Sequence, residues 1–593
     1  MVKYKLKKNP IPSFSFNYLE EYLISLGITN PSSFIDKPRL EDQEHYSKLD
    51  NIYIATEWLY EGFKNHKKFF LQVDSDADGI TSSTIFYSFF KKLFPEANIE
   101  WRLHDGKEHG IIMDTIPIDA DYVIIPDAGS MQFDEQELLH NRGYKLIILD
   151  HHNVKNPPVL ENVVIVNNQL SPNFMNKNLS GAGVVYKTIQ AFNYIYQDEF
   201  PLIYENYADL AALGLVADMM DTRNLDNNYI IWKGLNNIKN PMLQALLNRQ
   251  NRGFGGVSSS TNPNKIDIAF YVAPLINGVI RFGSPEEKEM LFKGFINEHG
   301  DEMMVETVYR GITRKEAIFE YIARISDNIK ARQNVQKLKC MNFLSNRVEE
   351  NNLNDHQLLI VKISKDDDVT VPQTITGLVA MELLKKYKKP TLVLRPRKMS
   401  DGRIQYSGSG RGKQNGDFDS LFGMLRDSGF CEYVEGHDMA FGTAVYEENL
   451  PKLIDYANER LKEIEFDVDE AEVDFIFDNN NLNRDMLLEF GRPIHIYGNG
   501  IPQPKFAFQL KVASSNIFFL GEKGETLKFS LGGIEFIKFK CKELIDEIKA
   551  ANSYMFTIKL VGRVQINSFG GRETPQIRID DIDMEGTQLE SLF

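Results

Sequence analysis

Over the first third of the chain, short apolar runs alternate with segments of helical period. Phe69–Val73, Ile99–Leu103, Tyr122–Ile125, Leu146–Leu149 and Val163–Val166 are bounded by polar turns, as strands covered on both faces of a parallel sheet would be. Helical segments such as Ser82–Phe94 and Gln136–Asn141 lie between them. Residues from about 65 to 230 therefore predict a doubly wound α/β domain, with its chemistry at the carboxyl ends of the strands. The helical period continues over 231–345, broken by a Gly/Ser/Asn-rich stretch at Asn251–Asn264 that reads as a loop. A second α/β unit begins near 356 with strand Leu358–Ile363, helix Gly377–Tyr387 and strand Thr391–Leu394. An acidic linker over Glu463–Asp474 follows. Beyond it, alternating positions over Phe506–Val512, Thr526–Leu531, Met555–Val564 and Gln576–Ile582 predict a small β-barrel or sandwich. Residues 1–60 read as a mixed N-terminal extension with no legible chemistry.

Length and composition narrow this picture. A chain of 593 residues exceeds one hydrophobic core and predicts three or four domains. No stretch reaches the ~20 apolar residues of a membrane span. The basic start Met1–Lys8 is not followed by an apolar run, so no signal peptide is read. Cys340, Cys431 and Cys541 are odd in number and far apart, which suits reduced thiols in a cytoplasmic protein. The formal net charge of −16 argues against a nucleic-acid partner. The window Lys385–Lys413 argues the other way, with ten Lys or Arg against one acid, Asp401.

Four places bring acids or histidines to the ends of predicted elements. Asp74-Ser75-Asp76-Ala77-Asp78-Gly79 follows the first strand, Asp127 the third, and Asp150-His151-His152 the fourth. Asp218 closes a helix that begins near Asp209. Any one of these alone would ordinarily be a turn residue or a helix cap. The aspartate spacing also echoes a calcium loop, but Ile85 stands where that loop needs a glutamate. Together, the three strand ends would converge on one crevice. Convergent carboxylates repel unless cations lie between them, and hard divalent ions prefer oxygen ligands. Two ions ~3.5–4 Å apart can generate a bridging hydroxide, as phosphodiester hydrolysis needs.

The order Asp76-Ala77-Asp78-Gly79, Asp127, Asp150-His151-His152, Asp218 resembles the DHH phosphoesterase superfamily, and Gly181-Ala182-Gly183 resembles its glycine-rich helix start. Further segments resemble the RecJ exonucleases within it. They are Pro274–Asn277 with Arg281, Gly377–Glu382 and Pro390–Leu394, the two loops Ser407–Gly412 and Glu435–Asp438, and Tyr497–Phe506. The resemblance covers about 65–593. It implies a DHH catalytic domain over 61–230, a helical connector over 231–345, a DHHA1 substrate-binding domain over 346–465 and an oligonucleotide-binding (OB) fold over 485–593.

By that resemblance Asp76, Asp78, Asp127, His151 and Asp218 are metal ligands for two Mn²⁺ or Mg²⁺ ions. Asp74, Asp150 and His152 act beside them. Asn277, Arg281, Ser409, Gly410, Arg411 and His437 bind substrate. The activity implied is metal-dependent hydrolysis of single-stranded DNA from its 5′ end to 5′-mononucleotides, in recombination, repair or replication. The protein would be monomeric, away from membranes, with a single-strand-binding protein or helicase as partner. Two other readings stand beside it: a phosphodiesterase of short oligonucleotides or cyclic dinucleotides, and a RecJ-like scaffold without catalysis. Three positions depart from the RecJ pattern. Asp221 replaces an uncharged residue, His109 precedes Gly110 where an aromatic residue is usual, and Glu435 replaces a glycine. The C-terminal domain is expected to supply grip alone, because all four acidic motifs precede residue 222.

Overall fold

The computed structural model describes residues 3–7, 17–105, 108–251, 259–298, 300, 302–309, 311–364, 366–413, 420–464, 466, 470–521, 524–551, 553–569 and 571–587. Half of the Gly/Ser/Asn-rich loop and part of the acidic linker lie outside them.

The catalytic sheet has five parallel strands: β1 (Lys68–Val73), β2 (Asn98–Leu103), β3 (Tyr122–Pro126), β4 (Lys145–Asp150) and β5 (Val163–Asn167). All five fall where the apolar runs predict. Their spatial order is β2-β1-β3-β4-β5. Along β1, β3, β4 and β5, alternate residues enter opposite cores. Phe69, Leu71 and Val73 of β1 join one cluster with Ile124 and Ile147. Phe70 joins a second with Val123, Ile125, Leu146 and Ile148. Covering both faces explains why the runs are continuously apolar. The sheet reverses direction of growth between β1 and β3, and ligands bind an open α/β sheet in the crevice at such a switch point.

Helices α1 (Ala77–Leu93), α2 (Gly181–Ile195) and α3 (Ala208–Ala217) pack over the first core. The α1 helix starts five residues before the expected Ser82. Asp76 caps it by accepting the Gly79 N–H at 2.9 Å, so Asp78 lies in the first helical turn and not in a loop.

The connector contains the expected helices and one unexpected hairpin, Met304–Tyr309 paired with Ile312–Ala317. Its helix α4 (Ala273–Phe282) packs beside the 33-residue α5 (Ile318–Glu350). The expected boundary at 345/346 falls inside α5. Ile318, Ile322 and Ile329 belong to the catalytic core, whereas Cys340, Leu344 and Val348 belong to the second α/β core. At 1.5 Å per residue α5 spans about 50 Å and joins the two units as one strut. The second sheet runs Cys431–His437, Ala440–Tyr446, Ile404–Arg411, Thr391–Lys398, Leu359–Lys362.

The C-terminal domain is a seven-stranded sheet that begins at Phe475–Asp478, ahead of the expected 485. Its core also takes Leu19, Tyr22 and Leu23 from helix Tyr18–Ser25. The Tyr22 hydroxyl donates to the Pro502 carbonyl at 2.6 Å, and strand Lys3–Leu6 pairs with Glu470–Val473. Helix Ile52–Lys64 enters the catalytic core instead. The segment expected to be an extension is thus divided between two cores.

Lys265 is buried where connector, catalytic and C-terminal residues meet. Its Nζ donates to Asn228 Oδ1 at 3.0 Å and to the Ile496 carbonyl at 3.1 Å, both neutral acceptors. Burial pushes its ammonium down to about 7, while the unfolded chain stays protonated to ~10.4. Between these values the unfolded chain binds more protons, so this group makes stability rise with pH from about 7 to 10. Lys265→Met removes the effect. The unfolding midpoint of the parent chain relative to this variant should rise between pH 7 and pH 9, and a constant difference would show that the amine does not titrate there.

Candidate metal centre

The crevice at the ends of β1, β3 and β4 gathers the predicted acids. His151 Nε2 lies 3.2 Å from Asp127 Oδ1, 3.5 Å from Asp218 Oδ2 and 4.0 Å from Asp78 Oδ2. Atoms of Asp74, Asp76 and Asp127 also come within 4.8 Å of one another, as do those of Asp127, Asp150, His151 and His152. Asp127 is common to both groups.

Backbone geometry builds this cluster. Asp127 has φ 64°, a left-handed conformation that aspartate tolerates, and its N–H donates to the Leu149 carbonyl at 2.8 Å. The first N–H groups of α2 point at Asp78: Gly181 donates to Oδ2 at 2.6 Å and Ala182 to Oδ1 at 3.0 Å. Helix N-termini favour carboxylates by dipole as well as hydrogen bond. A Cβ at Gly181 would stand 2.4 Å from Asp127 Oδ1, so only glycine permits this approach. Asp218 caps the carboxyl end of α3. Met219, next along, is left-handed with φ 57°, at a cost of roughly 1 kcal/mol for a non-glycine residue.

The electrostatics separate two kinds of acid. Burial, then the charges of Asp78, Asp76, Asp74 and Asp218, push Asp127 well above the carboxylate range. Burial with Asp78 and Asp76 pushes Asp218 up to about 8, and burial with Asp74 and Asp78 raises Asp76 to about 6. Asp127 Oδ1 is buried with no hydrogen-bond partner, because His151 is near but not aligned. Asp74 and Asp150 behave oppositely. Burial opposes their ionisation too, but His104 Nδ1 at 2.8 Å and His109 Nδ1 at 2.9 Å hold Asp74 at about 2. Asp150 is held well below the usual range by His152 and by the Ser130 N–H. No histidine offsets the first kind by a hydrogen bond among the described residues, and the Gly79 N–H and the Arg281 charge offset Asp76 only in part. Oxygen donors with one imidazole, one of them an orphaned buried carboxylate oxygen, fit hard divalent ions of the Mn²⁺ or Mg²⁺ type.

His152 stands at the mouth. Its Nδ1 is 2.8 Å from Asp150, its side chain is half exposed, and its ring meets that of His109 edge-on at 5.5 Å. Burial opposes its charge, but Asp150 raises the imidazole to about 9. His104 and His109 were not read from the sequence as site residues. Applying the strand-end rule to β2 would have found His104, which directly follows Leu103.

The expected substrate residues divide. Asn277 Oδ1 accepts the Ala77 N–H at 3.1 Å, so it anchors α1 to α4. Arg281, one turn along α4, lowers Asp76 by its charge and also opposes the charge of Arg411. Among the described residues neither guanidinium has a carboxylate partner. The supposed loop Ser407–Gly412 is mostly strand Ile404–Arg411, paired on both sides. Its glycines serve packing, since a Cβ at Gly410 would stand 2.3 Å from the Phe441 ring. Ser409 shares a hydrogen bond with Thr376 at 2.9 Å. Glu435–His437 likewise ends a strand, and the His437 side chain lies outside the described residues. Asp221 forms an ion pair with Arg223 at 2.6 Å instead of joining the acids.

Comparison with known proteins identifies relatives along nearly the whole chain. The family model "DHH family, N-terminal domain" matches residues 68–215, and "RecJ OB domain" matches 473–581. The chain is 38% identical over 587 residues to the "Putative SPbeta prophage-derived single-strand DNA-specific exonuclease YorK" of Bacillus subtilis, covering 98% of each. It is 23% identical to the single-stranded-DNA-specific exonuclease RecJ of Escherichia coli, covering 91% of each. In fold it matches the crystal structure of Thermus thermophilus RecJ in complex with Mn²⁺, with TM-score 0.67, 19% identity, and coverage of 96% of this chain and 76% of that one. The identity of 38% along nearly the whole chain, with a family model matched at each end, shows the family: the chain belongs to the RecJ branch of the DHH proteins.

Proposed function

We propose that this chain hydrolyses single-stranded DNA from the 5′ end, releasing 5′-mononucleotides, with two Mn²⁺ or Mg²⁺ ions held by Asp76, Asp78, Asp127, His151 and Asp218. The observation that carries the reading is the uncompensated carboxylate cluster around His151 Nε2, with Asp127 Oδ1 buried and unpaired. The relationship to exonucleases along nearly the whole chain supports the substrate class. Divalent ions held by these residues would neutralise charge on the phosphate and make a water more acidic.

The protein's own groups do the rest. Asp127 lies in two of the acid and histidine groups and would serve as a metal ligand. The α2 N-terminus fixes the Asp78 carboxylate, and the Leu179 backbone orients His151 by a hydrogen bond. Asp74 and Asp150 hold imidazoles at the rim. With Nδ1 engaged by Asp150, His152 keeps a proton at neutral pH and delivers it from Nε2 to the departing oxygen. Arg281 and Arg411, unpaired and mutually repelling, hold the phosphate at the strand's 5′ side.

The test is release of label from 5′- and 3′-labelled single strands, compared with dinucleotides and cyclic dinucleotides. Mononucleotides should appear first from the 5′ end of long strands, only with metal, and Mn²⁺ should serve at least as well as Mg²⁺. Release in chelator, or from the 3′ end, would overturn the reading.

Asp127→Asn should abolish turnover. In chelator the same variant should melt higher than the parent chain, because it removes a carboxyl that ionises freely when unfolded but is opposed by burial and like charges when folded. With Mn²⁺ added the order should reverse, and a parent chain that Mn²⁺ does not stabilise would count against the assignment.

Arg411→Ala should weaken substrate binding and turnover together by roughly 1.5–3 kcal/mol, the range for hydrogen bonds to charged groups. Arg411→Lys should recover only part of this, lacking the bidentate fork. Unchanged steady-state kinetics in the alanine variant would remove Arg411 from the phosphate site.

A further inference from the structure

The domain expected to grip DNA also touches the loop that carries a metal ligand. Helix α3 ends in a left-handed turn, with Met219 N–H bonded to the Val216 carbonyl and Met220 N–H to the Leu215 carbonyl. The carbonyl of Met219 then accepts a hydrogen bond from Asn499 Nδ2. The Asn499 carbonyl in turn accepts both the N–H of Thr222, at 2.9 Å, and its hydroxyl, at 2.7 Å. One residue of the C-terminal domain thus grips the segment immediately after Asp218 at two points.

The turn that presents Asn499 is tightly made. Gly498 and Ile501 exchange backbone hydrogen bonds at 2.9 and 3.2 Å. Gly500 has φ +82°, and a Cβ there would stand 2.1 Å from Asp221 Oδ1. Asp221 is itself held by Arg223, whose NH1 donates to the Leu26 carbonyl of the N-terminal segment. The turn rests on the C-terminal core through Tyr497, whose hydroxyl donates to the Phe490 carbonyl at 2.7 Å.

We propose that the Gly498–Gly500 turn is a positioning element of the metal centre, with Asn499 holding Asp218 where it can share an ion with Asp78 and His151. Asp218 is the most loosely built of the three. Its side chain is about one-third exposed, against one-tenth or less for His151 and Asp78, and it follows the last residue of α3. Without Asn499 nothing described holds the Met219 carbonyl, and Asp218 gains freedom to leave the cluster. The C-terminal domain then contributes to metal binding through a contact that touches neither metal nor DNA.

The proposal rests on the metal-site reading above, and its test separates the two. On the full chain without DNA, Mn²⁺ binding is read from the electron paramagnetic resonance signal of free Mn²⁺. Asn499→Ala should weaken binding by about tenfold, the lower end for residues that orient metal ligands. Thr222→Val, which removes only the hydroxyl bond, should give a smaller loss in the same direction and guards against a folding defect in the first variant. In turnover, the Mn²⁺ midpoint should shift while kcat recovers at saturating Mn²⁺ and KM for DNA stays unchanged. Single-strand affinity in chelator should match the parent. Parent-like Mn²⁺ binding in both variants would overturn the proposal. Loss of strand affinity in chelator with unchanged Mn²⁺ binding would overturn it too, assigning the turn to grip. If the parent chain itself binds no Mn²⁺, the metal-site reading fails first.

Discussion

Mutual repulsion among buried carboxylates is the constraint around which this molecule is arranged. Asp76, Asp78, Asp127 and Asp218 are brought together from three elements, and aspartates so placed cannot all ionise without outside positive charge. The fold tolerates the conflict because each carboxylate is fixed by backbone that is stable for other reasons. Asp127 follows a strand buried between two cores, Asp78 faces the N-terminus of α2, and Asp76 caps α1. The strain is held locally while the sheet beneath supplies stability. Activity and stability thus pull the same residues in opposite directions until cations arrive.

A second arrangement surrounds the first. Each rim imidazole is backed by its own aspartate, as His152 is by Asp150 and His109 by Asp74. These carboxylates are neutralised within the protein, so they compete little for ions and serve to orient. The distinction between bare and backed aspartates does not follow from their spacing. It follows from which strand end lies beside a histidine.

The sequence was legible where one physical rule acts alone. Nearly continuous apolar runs marked four strands of the catalytic sheet, because burial on both faces leaves no other composition, whereas the edge strand β2 alternates buried Ile99 with exposed Asn98 and Glu100. The acids at the strand ends were legible for the same reason, since the sheet fixes where strand ends point. Helix α1 began earlier than its period suggested because Asp76 serves as cap and candidate ligand at once. The hairpin Met304–Ala317 was missed because Val308 and Ile312 lie exposed, so no buried face imposes a period-two pattern. Contacts between distant segments left no local trace. Nothing around Asn499 announces Thr222 as its partner, and Tyr22 gives no hint of the Pro502 carbonyl 480 residues on.

That last contact bears on how the protein is made. Helix Tyr18–Ser25 leaves the ribosome well before the strands that bury its Leu19, Tyr22 and Leu23. At ~5–20 residues per second of synthesis, an apolar helix face waits for roughly half a minute or more while the catalytic sheet folds behind it. During that interval the nascent chain carries an unsatisfied surface for chaperones to shield, and its C-terminal domain cannot close. Synthesis of the C-terminal strands, and not of the parallel sheet that precedes them, is the event that closes this helix face.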